Sequence, residues 1–135
     1  IDTYDSYKQK INEIIEKTKK FIMNELGNGR LVIGLGASTK GNVLLQICGI
    51  DKNLLPFISE RNKDKVGLRT LGTDIEIISE EKAREINPSA MLVIPWNFKE
   101  EILSREENYI QHGGKMLFLM PYPYYVDKFG EHEIQ

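Results

Sequence analysis

The segment Gly34–Asn42 has the residue types that bind an anionic group. Its glycines, Gly36 among them, let the backbone come close to a phosphate. The segment lies between a predicted strand and the helix that follows, where open α/β sheets bind ligands and free N–H groups carry a partial positive charge. Ser38 and Thr39 add hydroxyl donors, and Lys40 adds a positive charge. We therefore predict an anionic ligand here, best matched by a diphosphate.

Two phosphate-binding motifs nearly match this segment, and both fail. The dinucleotide fingerprint needs a third glycine three residues after the second, where this chain has Thr39. The P-loop needs Lys and then Ser or Thr directly after its last glycine, whereas Gly41 is followed by Asn42 and Val43. A tight strand-to-helix turn without a ligand therefore stays open as an alternative.

Charged residues follow the second predicted strand. Glu60 stands about where an acidic side chain binds a ribose in dinucleotide folds, although a solvated residue at a strand end is an equal alternative. Arg61 and Asn62 come next, followed by Lys63 and Lys65. These residues either face a phosphate across the crevice or form a solvated basic loop.

Trp96 follows the third predicted buried strand, in the run Pro95-Trp96-Asn97-Phe98. At the carboxyl edge of the sheet, a tryptophan can stack on a base or a sugar. It can equally cover the end of the core or dock against a neighbouring domain.

The sequence offers no catalytic residue and no metal site. The single cysteine, Cys48, falls on the apolar stripe of a predicted helix and is interpreted as a small buried hydrophobe. The two histidines, His112 and His132, lie far apart and lack metal-ligand spacing. His112 precedes a glycine pair at a helix end, where the helix dipole favours a cation. No Ser/His/Asp or Cys/His set and no carboxylate pair indicates acid–base work.

The elements that would position these residues alternate along the chain. Helices are predicted over residues 4–26, 39–48, 80–86 and 98–111, the last with Asn97 and Glu100 as a capping box. Buried strands are predicted over 31–33, 54–59, 90–94 and 116–120, with a short extended piece at 74–78. Residues 60–72 are predicted to form a basic loop, and the tail from Pro121 has no clear period. The pattern predicts one three-layer, Rossmann-like α/β domain over residues 1–135, with a mostly parallel sheet and an N-terminal helix.

Composition excludes several classes of protein. The chain has 135 residues, enough for one core, and a net charge of −2, which provides no electrostatic footprint for nucleic acid. Its apolar runs are far shorter than the roughly 20 residues that span a bilayer. One cysteine excludes an internal disulfide framework, so we expect a reducing compartment, the cytoplasm. Because the sequence begins with Ile1 and no signal peptide follows, we expect a piece of a longer chain.

The sequence resembles the C-terminal domain of S-adenosylmethionine-dependent C-methyltransferases, best known for methylating nucleotide-linked deoxysugars. The similarity covers about residues 4–120. The matching stretches are Gly34-Leu35-Gly36-Ala37-Ser38-Thr39-Lys40-Gly41-Asn42, Leu44-Leu45, Cys48-Gly49-Ile50, Arg61-Asn62, Lys65-Val66-Gly67, Gly72-Thr73 with Ile75 and Ile77, Ser79-Glu80-Glu81, Val93-Ile94-Pro95-Trp96 with Phe98, and Gly113-Gly114-Lys115.

The resemblance implies a Rossmann-like domain that binds no S-adenosylmethionine itself. In the family, a zinc-binding domain and a central S-adenosylmethionine-binding domain precede this one, which faces the central domain and helps to enclose the nucleotide sugar. The catalytic and zinc residues belong to those other domains. The residues implied to lie near the nucleotide or diphosphate are Ser38, Thr39, Lys40 and Asn42, with Arg61, Asn62 and Trp96 lining the same crevice.

One departure from the family affects the expected nucleotide preference. The family usually has an aspartate before the Arg-Asn pair, and this chain has Ser59-Glu60. Two other functions stay open: an independent module that binds NAD or coenzyme A, against which the missing glycine counts for NAD, and a domain that only docks its neighbour.

Overall fold

The computed structural model describes residues 2–120 and 122–134, and the side chains within these ranges except those of residues 2–4, 39 and 40. The elements in chain order are α1 (Asp2–Gly27), β1 (Val32–Leu35), α2 (Thr39–Cys48), β2 (Phe57–Glu60), β3 (Glu76–Ser79), α3 (Glu80–Ile86), β4 (Ala90–Val93), a 3₁₀ turn (Trp96–Phe98), α4 (Lys99–Arg105), α5 (Glu107–Gln111), β5 (Lys115–Phe118), β6 (Tyr124–Asp127) and β7 (Gly130–Glu133). Within these ranges, no helix has the length and apolar character needed to cross a membrane.

The strands form one seven-stranded sheet in the order β3-β2-β1-β4-β5-β6-β7. The first five strands in this order run parallel, and β6 and β7 are antiparallel to their neighbours. The chain order reverses at β1, where Leu35 pairs with Ser59 on one side and with Val93 on the other. The carboxyl ends of β1, β2 and β4 therefore meet at one edge of the sheet. The predicted α/β class with a mostly parallel sheet is confirmed.

Side chains of the central strands alternate between two hydrophobic clusters. Val32 of β1 packs in the cluster that α1 and α2 cover, whereas the next residue, Ile33, packs in the cluster covered by α3, α4 and α5. In β4, Leu92 and Val93 divide in the same way. Both faces of the sheet are thus covered by helices, which explains why these strands are apolar throughout rather than alternating with polar residues.

Helix α2 has residues suited to both of its ends. Ser38 is extended, and its Oγ accepts a hydrogen bond from the Gly41 N–H at 3.0 Å, as an N-cap does. Gly49 ends the helix in the left-handed conformation, with φ 71°, and the Ile50 N–H returns to the Leu45 carbonyl oxygen at 2.9 Å. The predicted limits of this helix, 39–48, are confirmed.

Three of the predictions for individual elements are wrong or incomplete. The second strand begins at Phe57, after Pro56, rather than at residue 54. The predicted helix over 98–111 is two helices that break at Glu106, whose buried carboxylate accepts a hydrogen bond from Arg84 at 3.1 Å. Asn97 caps neither helix, because it lies inside the 3₁₀ turn and Phe98 takes the N-cap position without a side-chain hydrogen bond.

The tail for which no period was found forms the hairpin β6–β7 on the sheet edge next to β5. Its tyrosines face both clusters: Tyr124 stacks on Phe118 with ring centroids 5.1 Å apart, and Tyr125 lies 5.6 Å from the Phe21 ring of α1. A strand that is part-buried on both faces shows no polar–apolar alternation, so the sequence pattern gave no signal for it.

Candidate functional site

The loop that leaves β1 touches the loop that leaves β4, at the point where the strand order reverses. Gly36 has φ +88°, and a Cβ on it would lie 2.8 Å from Cδ of Pro95. Both the conformation and the contact therefore require glycine at this position. The Gly36 N–H donates to the Ser59 carbonyl oxygen at 2.8 Å, which ties the loop to β2 as well.

Glu60 and Lys65 hold the next residue of the loop by its two backbone polar atoms. Glu60 Oε2 accepts the Ala37 N–H at 2.8 Å, and Lys65 Nζ donates to the Ala37 carbonyl oxygen at 2.8 Å. The other oxygen of Glu60 accepts the N–H groups of Arg61 and Asn62, at 2.9 and 3.2 Å. Three of the roughly four lone-pair positions of this carboxylate are thus used within the protein. The ribose contact predicted for Glu60 would have to be made alongside these bonds.

Ser38, the N-cap of α2, directly follows Ala37. The Ser38 hydroxyl caps the helix as an acceptor, which leaves its own proton free to be donated. The Thr39 and Lys40 side chains, which we expect to contact an anion, lie outside the described residues.

Gly41 lets α2 lie close to Ile94, the residue that follows β4. A Cβ on Gly41 would fall 1.8 Å from Cγ2 of Ile94, so no side chain fits there. In the dinucleotide fingerprint, the third glycine has this helix-packing role. Gly41 therefore takes the helix-packing role two residues after the position at which the fingerprint has its third glycine. This shift is why the sequence does not match the fingerprint.

Asn42 points toward a neighbouring turn and uses both polar atoms of its side-chain amide there. Its Nδ2 donates to the Leu71 carbonyl oxygen at 2.9 Å, and its Oδ1 accepts the Thr73 hydroxyl proton at 2.7 Å. Gln46, one helical turn later, donates to the same Leu71 carbonyl at 2.6 Å. Asn42 thus fixes the turn over residues 70–73 beside α2, a contact that the sequence gave no means to foresee.

A cleft of about 320 Å³ opens beside Gly36, on the side of the sheet that α3 and α4 cover. Arg61 lines it, whereas Asn62 and Trp96 do not. Asn62 Oδ1 instead accepts the Asp64 N–H at 3.0 Å within its own loop. The residues that line the cleft are Leu35, Gly36, Ser59, Glu60, Arg61, Glu80, Pro95, Phe98, Glu101, Ile102 and Arg105.

Charged groups of both signs face each other across this cleft. The two Glu80 oxygens lie 3.7 Å from Arg61 Nε and 3.9 Å from Arg105 Nη2, too far for hydrogen bonds. In the sequence, Glu80 stands out only as part of the stretch Ser79-Glu80-Glu81 that resembles the family, and Arg105 does not stand out. The local spacing of the sequence contains no signal that brings residues from β2, α3 and α4 together.

The single cysteine is buried, and His112 has a hydrogen-bond partner. Cys48 is buried as expected, and burial raises the pKa of its thiol. His112 Nδ1 lies 2.7 Å from the Asn108 carbonyl oxygen at the end of α5. Within residues 2–120 and 122–134, no three His, Cys, Asp or Glu side chains come together to hold a metal ion.

The fold and the glycine loop fit one class of protein, because the family described as the C-methyltransferase C-terminal domain matches residues 1–121. The chain belongs to this family, and the resemblance seen in its motifs is confirmed. It is also 29% identical over 120 residues to the C-methyltransferase NovU of Streptomyces niveus. That alignment covers 89% of this chain and 29% of NovU, so the chain spans less than a third of the length of this relative. The β6–β7 hairpin lies beyond the family match.

Proposed function

We propose that this chain is the substrate-binding C-terminal domain of an S-adenosylmethionine-dependent C-methyltransferase, and that the substrate is a nucleotide-linked sugar. The observation that carries the proposal is the loop over residues 36–42, which lies where the strand order reverses and whose Ala37 backbone is fixed by Glu60 and Lys65. Ligands of open α/β sheets bind at this position. Family membership favours a role in C-methyl transfer.

The proposal extends to the type of fold. The parallel strands in the order β3-β2-β1-β4-β5 match the order of a doubly wound sheet, so we propose that the domain is Rossmann-like. The antiparallel hairpin is then an addition at one edge.

The diphosphate would lie at the N-terminal end of α2. The N–H groups there and the helix dipole favour a negative charge, the Ser38 hydroxyl has a proton to donate, and Lys40 adds a full positive charge. Because Glu60 and Lys65 fix Ala37, the loop backbone is already ordered, and less conformational entropy is lost when the ligand binds.

The chemical step would take place on other domains of the same protein. S-adenosylmethionine, bound by a central domain, supplies the methyl group, and a zinc site and the catalytic base belong to domains outside this chain. This domain would orient the substrate against the central domain and neutralise the diphosphate charge. We therefore propose that it is inactive alone, that its partners are the nucleotide-linked sugar and the central domain, and that it works in the cytoplasm, the reducing compartment that a single cysteine favours.

A lysine substitution tests the proposal. Lys40→Ala should weaken binding of dTDP at least about tenfold, because a charge-assisted bond to phosphate contributes about 1.5–3 kcal/mol. Titration calorimetry of this chain measures the affinity, with Lys20→Ala on the exposed side of α1 as the control that removes the same charge. If Lys40→Ala leaves dTDP affinity unchanged, or if the parent chain binds NAD and not dTDP, the proposal is wrong.

A further inference from the structure

The turn over residues 70–73 is fixed against α2 by side-chain hydrogen bonds. Asn42 and Gln46 of α2 both donate to the Leu71 carbonyl oxygen, at 2.9 and 2.6 Å. Thr73, which is buried, donates to Asn42 Oδ1 at 2.7 Å. The backbone at the tip of this turn is therefore ordered by its contacts with the helix.

This ordered turn presents an apolar side chain to solvent. At 83%, Leu71 is the most exposed large hydrophobic residue within the described part of the chain. Val43 and Ile47, which follow Asn42 and Gln46 on α2, are 48% and 68% exposed. Leu71, Val43 and Ile47 thus lie close together, and we call them the α2–turn patch. Single exposed hydrophobic residues are common on protein surfaces, whereas a group of them marks an interaction surface.

We propose that the α2–turn patch is the surface on which the central domain of the parent methyltransferase docks. The proposal rests on the function proposed above and adds to it the residues that join the two domains. The length of the relative supports this occupant, because the alignment covers only 29% of NovU and most of that protein lies outside it. Burying Leu71 would cost little backbone entropy, since its turn is already fixed.

The position of the patch suits a partner that shares the ligand with this chain. Helix α2 begins directly after its N-cap Ser38, and a rise of 1.5 Å per residue places Val43 about 6 Å and Ile47 about 12 Å along the helix from its start. A domain seated on the patch would therefore reach the end of α2 where the diphosphate is proposed to bind. Such closeness is needed if the methyl donor is on one domain and the substrate is held by the other.

Hydroxyl-radical footprinting tests the proposal on the full-length protein without any substitution. The labelling of Leu71 and Ile47 is measured relative to Phe129, at the tip of the β6–β7 hairpin, which is 80% exposed and serves as the internal control. The same ratios are measured in the 135-residue chain. We expect both ratios to be at least about fivefold lower in the full-length protein, because a docked domain excludes water from the patch.

A charge in the patch should release the central domain. Leu71→Asp would place a carboxylate in an apolar contact, which is costly without a partner for the charge. In the full-length variant, Ile47 should therefore be labelled as it is in the 135-residue chain. Phe129→Asp is the matched control, because it adds the same charge at an equally exposed site and should leave Ile47 protected. Since the Leu71 side chain is in solvent, the 135-residue Leu71→Asp chain should bind dTDP as the parent chain does.

Two results would overturn the docking proposal and leave the diphosphate site standing. Equal labelling of the patch in both forms, while the loop amides respond to dTDP, would show that the central domain docks elsewhere. Protection of the patch in the 135-residue chain that disappears on dilution would show that a second copy of this chain covers it. Protection in the full-length protein together with loop amides that do not respond to dTDP would instead overturn the diphosphate site and keep the docking surface.

Discussion

Lys65 Nζ lies 2.8 Å from the carbonyl oxygen of Ala37, a residue 28 positions earlier in the chain. Glu60 accepts the N–H of the same alanine from the opposite direction, so one peptide unit on each side of Ala37 is fixed by a charged side chain. Glu60 is the last residue of β2 and Lys65 lies in the loop that follows, and their shared target is the loop after β1. The sequence alone treated these residues as candidates for ligand contact, whereas the structure shows that they first shape the loop.

Glu60→Gln should loosen the loop. A glutamine retains one carbonyl oxygen, and its NH₂ group would face backbone N–H donors that now bind a carboxylate, namely those of Ala37, Arg61 and Asn62. We expect a loss of about 1 kcal/mol in the free energy of unfolding and faster hydrogen exchange at the Ala37 amide. Exchange measured by NMR checks this prediction, with Glu81→Gln as the control. Unchanged exchange at Ala37 would show that the carboxylate does not hold the loop.

Gly41→Ala should destabilise the packing of α2 on the sheet. The new Cβ would fall 1.8 Å from Cγ2 of Ile94, so the helix or the strand must move, at a cost of about 1–3 kcal/mol. Gly27→Ala is the matched control, because no atom lies within 4 Å of its added Cβ and alanine favours the helix there. Urea unfolding measures both. A midpoint for Gly41→Ala that equals or exceeds that of the parent chain would contradict the close contact.

Alkaline pH should destabilise the chain through Tyr109. Burial raises the pKa of this phenol above its ordinary value of about 10, and the carboxylates of Glu106 and Glu25 add to the shift. Because the folded state holds the proton more tightly than the unfolded state, the stabilisation is complete below about pH 10 and is lost as the pH rises through the folded-state pKa.

Tyr109→Phe should flatten this alkaline decline. The variant should also lose about 1 kcal/mol at neutral pH, since Tyr109 Oη donates to the Pro88 carbonyl oxygen at 2.8 Å. Urea unfolding at pH 8 to 11 measures both effects, and Tyr7→Phe, an exposed tyrosine, is the control. An equally steep decline in Tyr109→Phe and in the parent chain would assign the alkaline loss to another group.

Local patterns in the sequence predicted the elements that depend on local physics. The caps of α2, Ser38 and Gly49, and the apolar runs of β1 and β4 define those elements within a few residues. The helix break at Glu106 was missed. The buried carboxylate of Glu106 binds Arg84, which is 22 residues away in sequence, and no local pattern shows such a contact. The β6–β7 hairpin was missed because its strands lack an alternating pattern.

The candidate site likewise has one part that the sequence predicted and another that it did not. The composition of residues 34–42 predicted a binding loop, because glycines, hydroxyls and a lysine between a strand and a helix are a local signal for an anion site. The bonds that fix Ala37 join two loops at one sheet edge. The approach of Arg61 and Arg105 to Glu80 likewise depends on how three different elements meet there. No spacing rule within one segment can reveal contacts of that kind.

The central claim is that the loop over residues 36–42 binds the diphosphate of a nucleotide-linked substrate. NMR titration of the chain with dTDP, S-adenosylmethionine and NAD tests it most directly, with the amide chemical shifts of Gly36 to Asn42 as the readout. The account predicts saturable shifts at these amides with dTDP and none with S-adenosylmethionine or NAD. Shifts with NAD alone, or silence of these amides to dTDP while the chain stays folded, would contradict it.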